Sequence, residues 1–448
     1  MPEIIITPEF QAALQLLDDS RQHVFVTGKA GTGKSTLLQH FRKTTKKKVV
    51  VLAPTGVAAL NVQGQTIHSF FRFRPDITPD SAGRIRPNPT QTKLYKELDA
   101  LVIDEVSMLR ADLLDSIDAF LRRHGPERGR SFGGVQMLLF GDLYQLPPVV
   151  TRQDRALFTN RYPGPHFFHA NVMRDISLYL TELTSVFRQQ EERFITILNA
   201  IRENQVDESH FQTLNARCRP ESPTEGVITL TTTNDLVDRV NQARLASLSG
   251  RPFVWQAHST GTFSERDFPT PANLELKAGA QVMLLTNDPR GRWVNGSIGR
   301  VRSVYDDPES TAPTVEVKLT TGRTVPVTPF TWEVYRYEFH EGRESIEPTT
   351  VGTYTQYPLR LAWAVTIHKS QGKTFDRVVI DLGRGTFSPG QLYVALSRCR
   401  TLDGITLRQP VQPRHMMSDA SIVQFLDSFK DGVRAVGQSS WEFEEFQN

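Results

Sequence analysis

Gly28-Lys29-Ala30-Gly31-Thr32-Gly33-Lys34-Ser35 follows the apolar run Val24-Phe25-Val26 and precedes Thr36-Leu37-Leu38-Gln39-His40-Phe41. The pattern is G-x-x-x-x-G-K-[ST] between a strand and a helix, the order of a phosphate-binding P-loop. Each residue type has a physical task. Glycines let backbone N–H groups close around phosphate oxygens, so Gly28, Gly31 and Gly33 shape the cradle with Thr32 between them. Lys34 reaches the outer phosphates, the Ser35 hydroxyl suits Mg²⁺, and Thr36 follows at the loop's edge. The helix N-terminus adds free N–H groups and a favourable dipole to the same anion. The plain alternative is a glycine-rich turn without a ligand, which the flanking strand and helix argue against. Alone, the loop says only that a nucleotide phosphate is bound.

The chain has 448 residues, 39% of them hydrophobic and 23% charged. That length exceeds one ordinary core and predicts two to four domains, each able to bury its own. No apolar stretch approaches a membrane span, and Met1-Pro2-Glu3-Ile4-Ile5-Ile6-Thr7 lacks the regions of a signal peptide, so a cytoplasmic protein without membrane contact is expected. Cys218 and Cys399 are far apart and lack metal-ligand spacing, which argues against a zinc site or a disulfide framework. A net charge of +3 and a pI near 8.8 permit nucleic-acid binding without requiring it.

Upstream of the loop, Thr7-Pro8-Glu9-Phe10-Gln11 reads as a capped helix start, with Pro8 at the first helical position. The amide of Gln11 suits an adenine edge, although a glutamine there is more often simply solvated. Downstream, Val49-Val50-Val51-Leu52-Ala53, Leu101-Val102-Ile103 and Met137-Leu138-Leu139-Phe140 are continuous apolar runs of the buried parallel-strand type. They end in Pro54-Thr55-Gly56, Asp104-Glu105 and Gly141-Asp142 through Gln145. Such strands separated by helices predict a parallel α/β sheet with its site at the carboxyl edge. From Arg72 to Lys93 the periodicity fails among Pro75, Pro79, Pro87 and Pro89, and the stretch reads as a short inserted subdomain. A second α/β series begins at Leu178–Leu183 and runs through Phe187-Arg188-Gln189. It is interrupted from about 253 to 357 by short alternating strands (Gln281–Leu285, Val315–Leu319, Thr324–Val327) of small β-barrel type, and returns at Leu359–Trp363.

ATP hydrolysis needs a metal, a carboxylate to activate water, a γ-phosphate sensor and cations for the transferring phosphoryl group. Asp104 is placed to hold Mg²⁺ with Ser35, and Glu105 to activate the water. Gln145 suits the sensor. Arg188 and Arg398, in the second series, are candidate arginine fingers; either alone reads more readily as a surface ion pair.

These segments, together with Thr66-Ile67-His68-Ser69-Phe70-Phe71, Phe132-Gly133-Gly134-Val135-Gln136, Gln145-Leu146-Pro147-Pro148, Thr366-Ile367-His368-Lys369-Ser370-Gln371-Gly372 and Tyr393-Val394-Ala395-Leu396-Ser397-Arg398, stand in the order of a superfamily 1 helicase. The stretch from Asp112 to Gln136, ending in Phe-Gly-Gly-Val-Gln, most resembles the Pif1 family of superfamily 1B. The resemblance spans Gln11 to Arg398.

It implies an α/β fold of two RecA-like parallel-sheet P-loop NTPase cores. The first would comprise residues 1–71 and 94–175 with a wedge insertion at 72–93. The second would comprise 176–252 and 358–410 with an SH3-like β-barrel insertion at 253–357, before a helical C-terminal segment at 411–448. The implied cofactors are ATP and Mg²⁺, and the implied activity is 5′-to-3′ unwinding of DNA by a monomer. Its partners would be single-stranded DNA and duplex with a 5′ single-stranded tail, with G-quadruplexes and RNA–DNA hybrids as further candidates and DNA repair and telomere maintenance as the family's settings.

Carried over residue by residue, Gln11 matches the adenine contact, Gly28, Gly31, Thr32, Gly33, Lys34, Ser35 and Thr36 the phosphate loop, and Gly372 a further nucleotide contact. Asp104 and Glu105 match the metal ligand and catalytic base, Gln145 the sensor, and Arg188 and Arg398 the arginines that act on the nucleotide. Thr55, Gly56, His68, Phe70, Thr366, His368 and Lys369 match positions along the DNA strand. Phe70 and Phe71 are equally core-like by residue type, and Phe71 reads better as core. The nearest rivals are a RecD- or Dda-like helicase and a P-loop switch that does not translocate. The tail Trp441–Phe446 mixes acids with aromatics as a partner contact would, and reads better as a terminal helix or a frayed end.

Overall fold

The computed structural model describes residues 6–150, 158, 161–189, 191–221, 226–261, 268–308, 312–429 and 432–434. They fall into two units: the first holds residues up to Phe187, Val334–Val351 and those from Asp419 onward, and the second holds Arg188–Glu333 and Gly352–Ser418. The tail Trp441–Phe446 lies outside the described residues. No described helix is long and apolar enough to cross a membrane.

In the first unit, strands β1 (His23–Gly28), β2 (Val49–Ala53), β3 (Gln65–Thr66), β4 (Ala100–Ile103), β5 (Gln136–Phe140) and β6 (Leu178–Leu183) form one sheet in the order β6-β1-β5-β4-β2-β3. Every pairing among them is parallel. The apolar runs of β1, β2, β4 and β5 follow from burial on both faces. Phe25, Leu101, Ile103, Met137 and Leu139 join one core, while Val24, Val26, Ala100, Val102, Leu138 and Phe140 join the other. Helices α1 (Pro8–Asp19) and α2 (Lys34–Thr44) cover the second face through Phe10, Ala13, Leu17, Leu37, Leu38 and Phe41. The first face is covered by α7 (Ala111–His124) through Leu114, Ile117, Phe120 and Leu121. Short helices α3 (Gly56–Asn61), α4 (Ile67–Phe71), α5 (Pro79–Ala82) and α6 (Pro89–Lys96) fill the connections.

Three expectations change here. The strand Leu178–Leu183, assigned from sequence to the second core, pairs with β1 in the first, Val26 opposite Thr181. An apolar run carries no label for the sheet it joins. Residues 72–93 do not stand apart: Phe73, Ile77 and Ala82 enter the first core. Pro79 and Pro89, read as breakers, occupy first-turn positions of α5 and α6, which Thr78–Ser81 and Asn88–Gln91 capping boxes open. The third concerns the 253–357 insertion, whose outer hairpin, Val334–Val351, belongs to the first unit. There the backbone N–H of Val51 donates to the Tyr337 hydroxyl at 3.2 Å, and Lys48 and Lys93 each sit 5.2 Å from the Phe339 ring centre.

The chain also returns to the first unit at its end. Helix Ala420–Asp427 lays Phe425 parallel on Phe168, 4.4 Å between ring centres, and Val433–Arg434 adds an antiparallel strand to the edge at β6. The C-terminal segment is therefore part helix and part strand.

In the second unit, β7 (Ile228–Thr231), β18 (Ala364–Thr366), β19 (Val378–Asp381) and β20 (Ile405–Leu407) form a parallel sheet in the order β18-β7-β19-β20. Helices α8 (Glu192–Arg202), α9 (Glu208–Asn215), α10 (Asn234–Ser247) and α11 (Gln391–Leu396) accompany it. The insertion is all β. Strands β11 (Gln281–Leu284), β12 (Ile298–Tyr305), β13 (Thr314–Leu319), β14 (Thr324–Val327) and β17 (Leu359–Leu361) make an antiparallel sheet in the order β14-β13-β12-β11-β17. It packs over Val282, Leu284, Val301, Val315, Val317 and Val325. Beside it, β8 (Phe253–Gln256) pairs with β10 (Asn273–Leu276), and β9 (His258–Gly261) pairs with β16 (Ser345–Gln356), which neighbours β15 (Phe330–His340).

Candidate nucleotide site

The first unit gathers its candidate residues at the carboxyl ends of three adjacent strands. β1 ends in the P-loop, β4 in Asp104-Glu105, and β5 in Gly141 through Gln145, and β5 lies between the other two. This is where a parallel α/β sheet places ligands.

Backbone geometry explains the loop's composition. A Cβ on Gly28 would lie 2.5 Å from the Leu183 carbonyl oxygen and 2.7 Å from Thr32 Oγ1, so nothing larger fits. Gly33 has φ +91° and caps α2 without a side-chain bond, leaving the first N–H groups of that helix for a ligand. Lys34 Nζ donates to the carbonyls of Gly28 at 2.5 Å and Lys29 at 3.0 Å, which holds the ammonium on the loop itself. Thr32 is buried and bonds Lys29, whereas Ser35 and Thr36 are exposed.

Glu105 takes φ +51°, a left-handed conformation costly for a residue with a side chain. Burial raises the pKa of its neighbour Asp104 to about 7; the Glu105 charge pushes the same way and Lys34 pulls it back. Asp104 and Glu105 are adjacent carboxylates of like charge, so the donor set fits a divalent metal shared with Ser35 and phosphate oxygens. At the end of β5, the Gln145 amide donates to Asp142 at 3.3 Å. A Cβ on Gly141 would come within 2.9 Å of Val106, which closes that turn against the segment after Glu105.

Contacts not singled out from sequence frame the loop. Glu9 accepts from the Thr184 N–H (2.9 Å) and hydroxyl (2.6 Å), bonds that lower its pKa and pin α1, with exposed Gln11, to the segment leaving β6. That segment's Phe187 N–H donates to the Gly31 carbonyl at 3.0 Å. Glu9 was legible only as a first-turn acid; its partner 175 residues away left no local signal.

In the second unit, Arg188 has a buried Nη1 with no hydrogen-bond partner among the described residues, and burial lowers its pKa. Arg398 is 1% exposed and donates to the Val394 carbonyl (2.9 Å), Ser397 Oγ (2.8 Å) and the Lys373 carbonyl (3.4 Å). Gln189 links the two arginine segments by donating to the carbonyls of Ser397 and Cys399 at 3.1 and 3.2 Å. Gly372, φ +76°, is exposed and follows the Thr366–Ser370 segment.

The residues matched to DNA are disposed unevenly. Thr55 caps α3 by accepting from Ala58, and Gly56 is buried. His68 is half-buried, and burial with Arg110 nearby lowers its pKa. Phe70 departs from expectation: it is 4% exposed, edge-to-face with Phe71 (4.8 Å) and Tyr95 (5.3 Å), and borders a cavity of about 230 Å³ with Arg72, Gln91 and Arg336. Aromatic packing takes the ring that a base would need. In the second unit, buried Thr366 accepts from the Lys369 N–H at 3.2 Å, and Lys369 is exposed. His368 lies parallel to Phe387, 6.3 Å between ring centres with 12° between planes, and Phe387 is 59% exposed. Phe387 sits among glycines that masked it in the sequence.

Among the described residues no three His, Cys, Asp or Glu side chains converge on a metal site. The family model for PIF1-like helicases matches residues 10–212, and that for the UvrD-like helicase C-terminal domain matches residues 361–402. The ATP-dependent DNA helicase Pif1 of Bdellovibrio bacteriovorus is 31% identical over 96% of this chain and 93% of its own length. The structure of Pif1 from Bacteroides sp. in complex with ADP-AlF4 superposes with a TM-score of 0.88 at 36% identity, covering 97% of this chain and 99% of that one. The same protein bound to ssDNA gives 0.69 at 36% identity, over 97% and 99% of the two chains. The chain spans 64–66% of the length of the fungal and rodent curated relatives that it matches. It belongs to the Pif1 family of helicases, with the two-core α/β architecture of that family.

Proposed function

We propose that the chain is an ATP-dependent DNA helicase that moves 5′ to 3′ along single-stranded DNA and opens duplex ahead of it, as a monomer in the cytoplasm. The observation that carries this reading is the convergence of the P-loop, Asp104-Glu105 and Gln145 on neighbouring strand ends. In this reading Lys34 exchanges the loop carbonyls for the outer phosphates, and the free N–H groups at the start of α2 hold the inner ones. Glu105 accepts the proton of the attacking water, Gln145 orients toward the terminal phosphate, and Gln11 meets the adenine. Mg²⁺, held by Ser35 and Asp104, supplies neutralisation of phosphate charge. Arg188 and Arg398 offset the charge that develops on the transferring group. Thr55, His68, Thr366, His368 and Lys369 grip DNA without reading its sequence. Duplex with a 5′ single-stranded tail is the substrate; G-quadruplexes and RNA–DNA hybrids are further ones.

The test is Glu105→Gln. It keeps the side chain's shape and removes the base, so nucleotide affinity should persist while turnover stimulated by single-stranded DNA falls at least about 10²-fold. Turnover within threefold of the parent overturns the assignment of Glu105. An ATPase indifferent to DNA overturns the motor.

A further inference from the structure

Three glycines of the P-loop border one irregular segment of the first unit. β6 ends at Leu183, opposite Gly28 of β1, and the chain runs on through Thr184, Ser185 and Val186 to Phe187 without helix or strand. The Leu183 carbonyl oxygen stands 2.5 Å from where a Gly28 Cβ would be, and the Phe187 ring stands 3.9 Å from the same point on Gly33. Between those contacts the Phe187 N–H donates to the Gly31 carbonyl at 3.0 Å. The segment thus lies as a strap beside the loop from its first glycine to its last. Glycines have no side chains with which to restrict their own conformation, so the strap that they pack against restricts it.

What fastens the strap lies outside the loop. Past Leu183 the ladder with β1 ends, and the next residue is taken by Glu9 of α1. One oxygen of that carboxylate accepts from the Thr184 N–H at 2.9 Å and the other from the Thr184 hydroxyl at 2.6 Å. Both bonds are charge-assisted, and together they fix the backbone and the side chain of one residue. The Thr184 hydroxyl, and then its N–H, hold the Glu9 pKa below the ordinary carboxylate value. α1 is a firm anchor: Phe10, Ala13 and Leu17 pack with Leu37, Leu38 and Phe41 of α2, the helix that the P-loop opens. At the far end of α1, Lys47 Nζ donates to the carbonyls of Leu17 and Ser20 at 2.7 and 2.6 Å. A first-turn acid steadies its own helix whatever it bonds. Glu9 commits both oxygens to a residue 175 positions away.

We propose that Glu9 and Thr184 are positioning residues for phosphate binding, which fasten the strap Leu183–Phe187 along the P-loop and so set the loop's affinity for the nucleotide. The assignment rests on the reading of the P-loop as the ATP site and adds two residues to it, neither of them in the loop. It places their action on the phosphate side, because the strap meets Gly28, Gly31 and Gly33. Gln11, the residue assigned to the adenine, lies on the anchor helix itself.

The test compares the full chain with its Glu9→Ala, Thr184→Val and Thr184→Ser variants, titrated with a fluorescent ADP and with pyrophosphate as its competitor, beside ATPase kinetics on single-stranded DNA. Glu9→Ala removes both bonds. Thr184→Val keeps the side chain's shape and removes the hydroxyl, so it carries the test if the first variant melts early; Thr184→Ser restores the hydroxyl. In Glu9→Ala and Thr184→Val, affinity for both ligands should fall together by about three- to tenfold, the reach of residues that act on a site from outside it. The KM for ATP should rise by the same factor with kcat unchanged, the mark of lost ground-state binding. Thr184→Ser should match the parent. Parent-like affinities in both Glu9→Ala and Thr184→Val overturn the proposal, whatever their melting temperatures, and leave Glu9 as a helix-steadying acid. A loss confined to fluorescent ADP, with pyrophosphate bound as in the parent, also overturns it and assigns Glu9 to the adenine side through Gln11. A parent that binds neither ligand overturns the nucleotide reading as well.

Discussion

Arg188→Met should make the protein more stable and nearly inactive at once. Arg188 Nη1 is buried without a partner among the described residues, and burial disfavours the guanidinium charge. An unsatisfied buried donor costs about 1–3 kcal/mol. Methionine retains most of the aliphatic volume, and a well-matched hydrophobic replacement loses less than about 1.5 kcal/mol. The net expectation is a gain of about 1 kcal/mol in the nucleotide-free protein, which raises the melting temperature of a unit this size by about 2–4 °C. The same change removes a cation of arginine-finger type, so DNA-stimulated ATP turnover should fall at least about 10³-fold. Differential scanning calorimetry without nucleotide gives the first number and a coupled ATPase assay the second. A lowered melting temperature would mean that Arg188 is a structural residue of its own unit. Turnover within tenfold of the parent would mean that its orphaned donor does not serve the nucleotide.

Two further changes probe the first unit. Gly28→Ala drives a methyl group against the Leu183 carbonyl and Thr32 Oγ1, so the P-loop must shift and affinity for a fluorescent ADP should fall at least tenfold; unchanged affinity would contradict the close approach. Phe425→Ala removes a ring that is 1% exposed and stacked on Phe168, and should destabilise the first unit by about 3–5 kcal/mol in urea titrations; a loss under about 1 kcal/mol would show that the returning C-terminal helix is not part of that core.

How far these features could be read in advance depended on whether their causes were local. β1, β2, β4 and β5 were legible because strands buried on both faces must be apolar throughout, and the P-loop because its glycines answer to backbone approach. The two-core architecture followed from the order of the motifs. The positions that escaped are set by distant partners. Leu178–Leu183 joins the first sheet through pairing with β1, and the Val334–Val351 hairpin belongs with Val51 rather than with its own insertion. Pro79 and Pro89 misled because proline marks a helix start as readily as a break. Arg188 could be named by resemblance, but its unpartnered nitrogen is visible only once the side chains around it are placed.

The central claim is that this chain turns ATP hydrolysis into directional movement on DNA. The most direct measurement is unwinding of two duplexes of identical sequence, one with a 5′ and one with a 3′ single-stranded tail, in the presence of ATP and Mg²⁺. The account predicts strand separation of the 5′-tailed duplex alone, abolished by Glu105→Gln. Opening of the 3′-tailed duplex instead, or of neither while ATP is consumed, would contradict it.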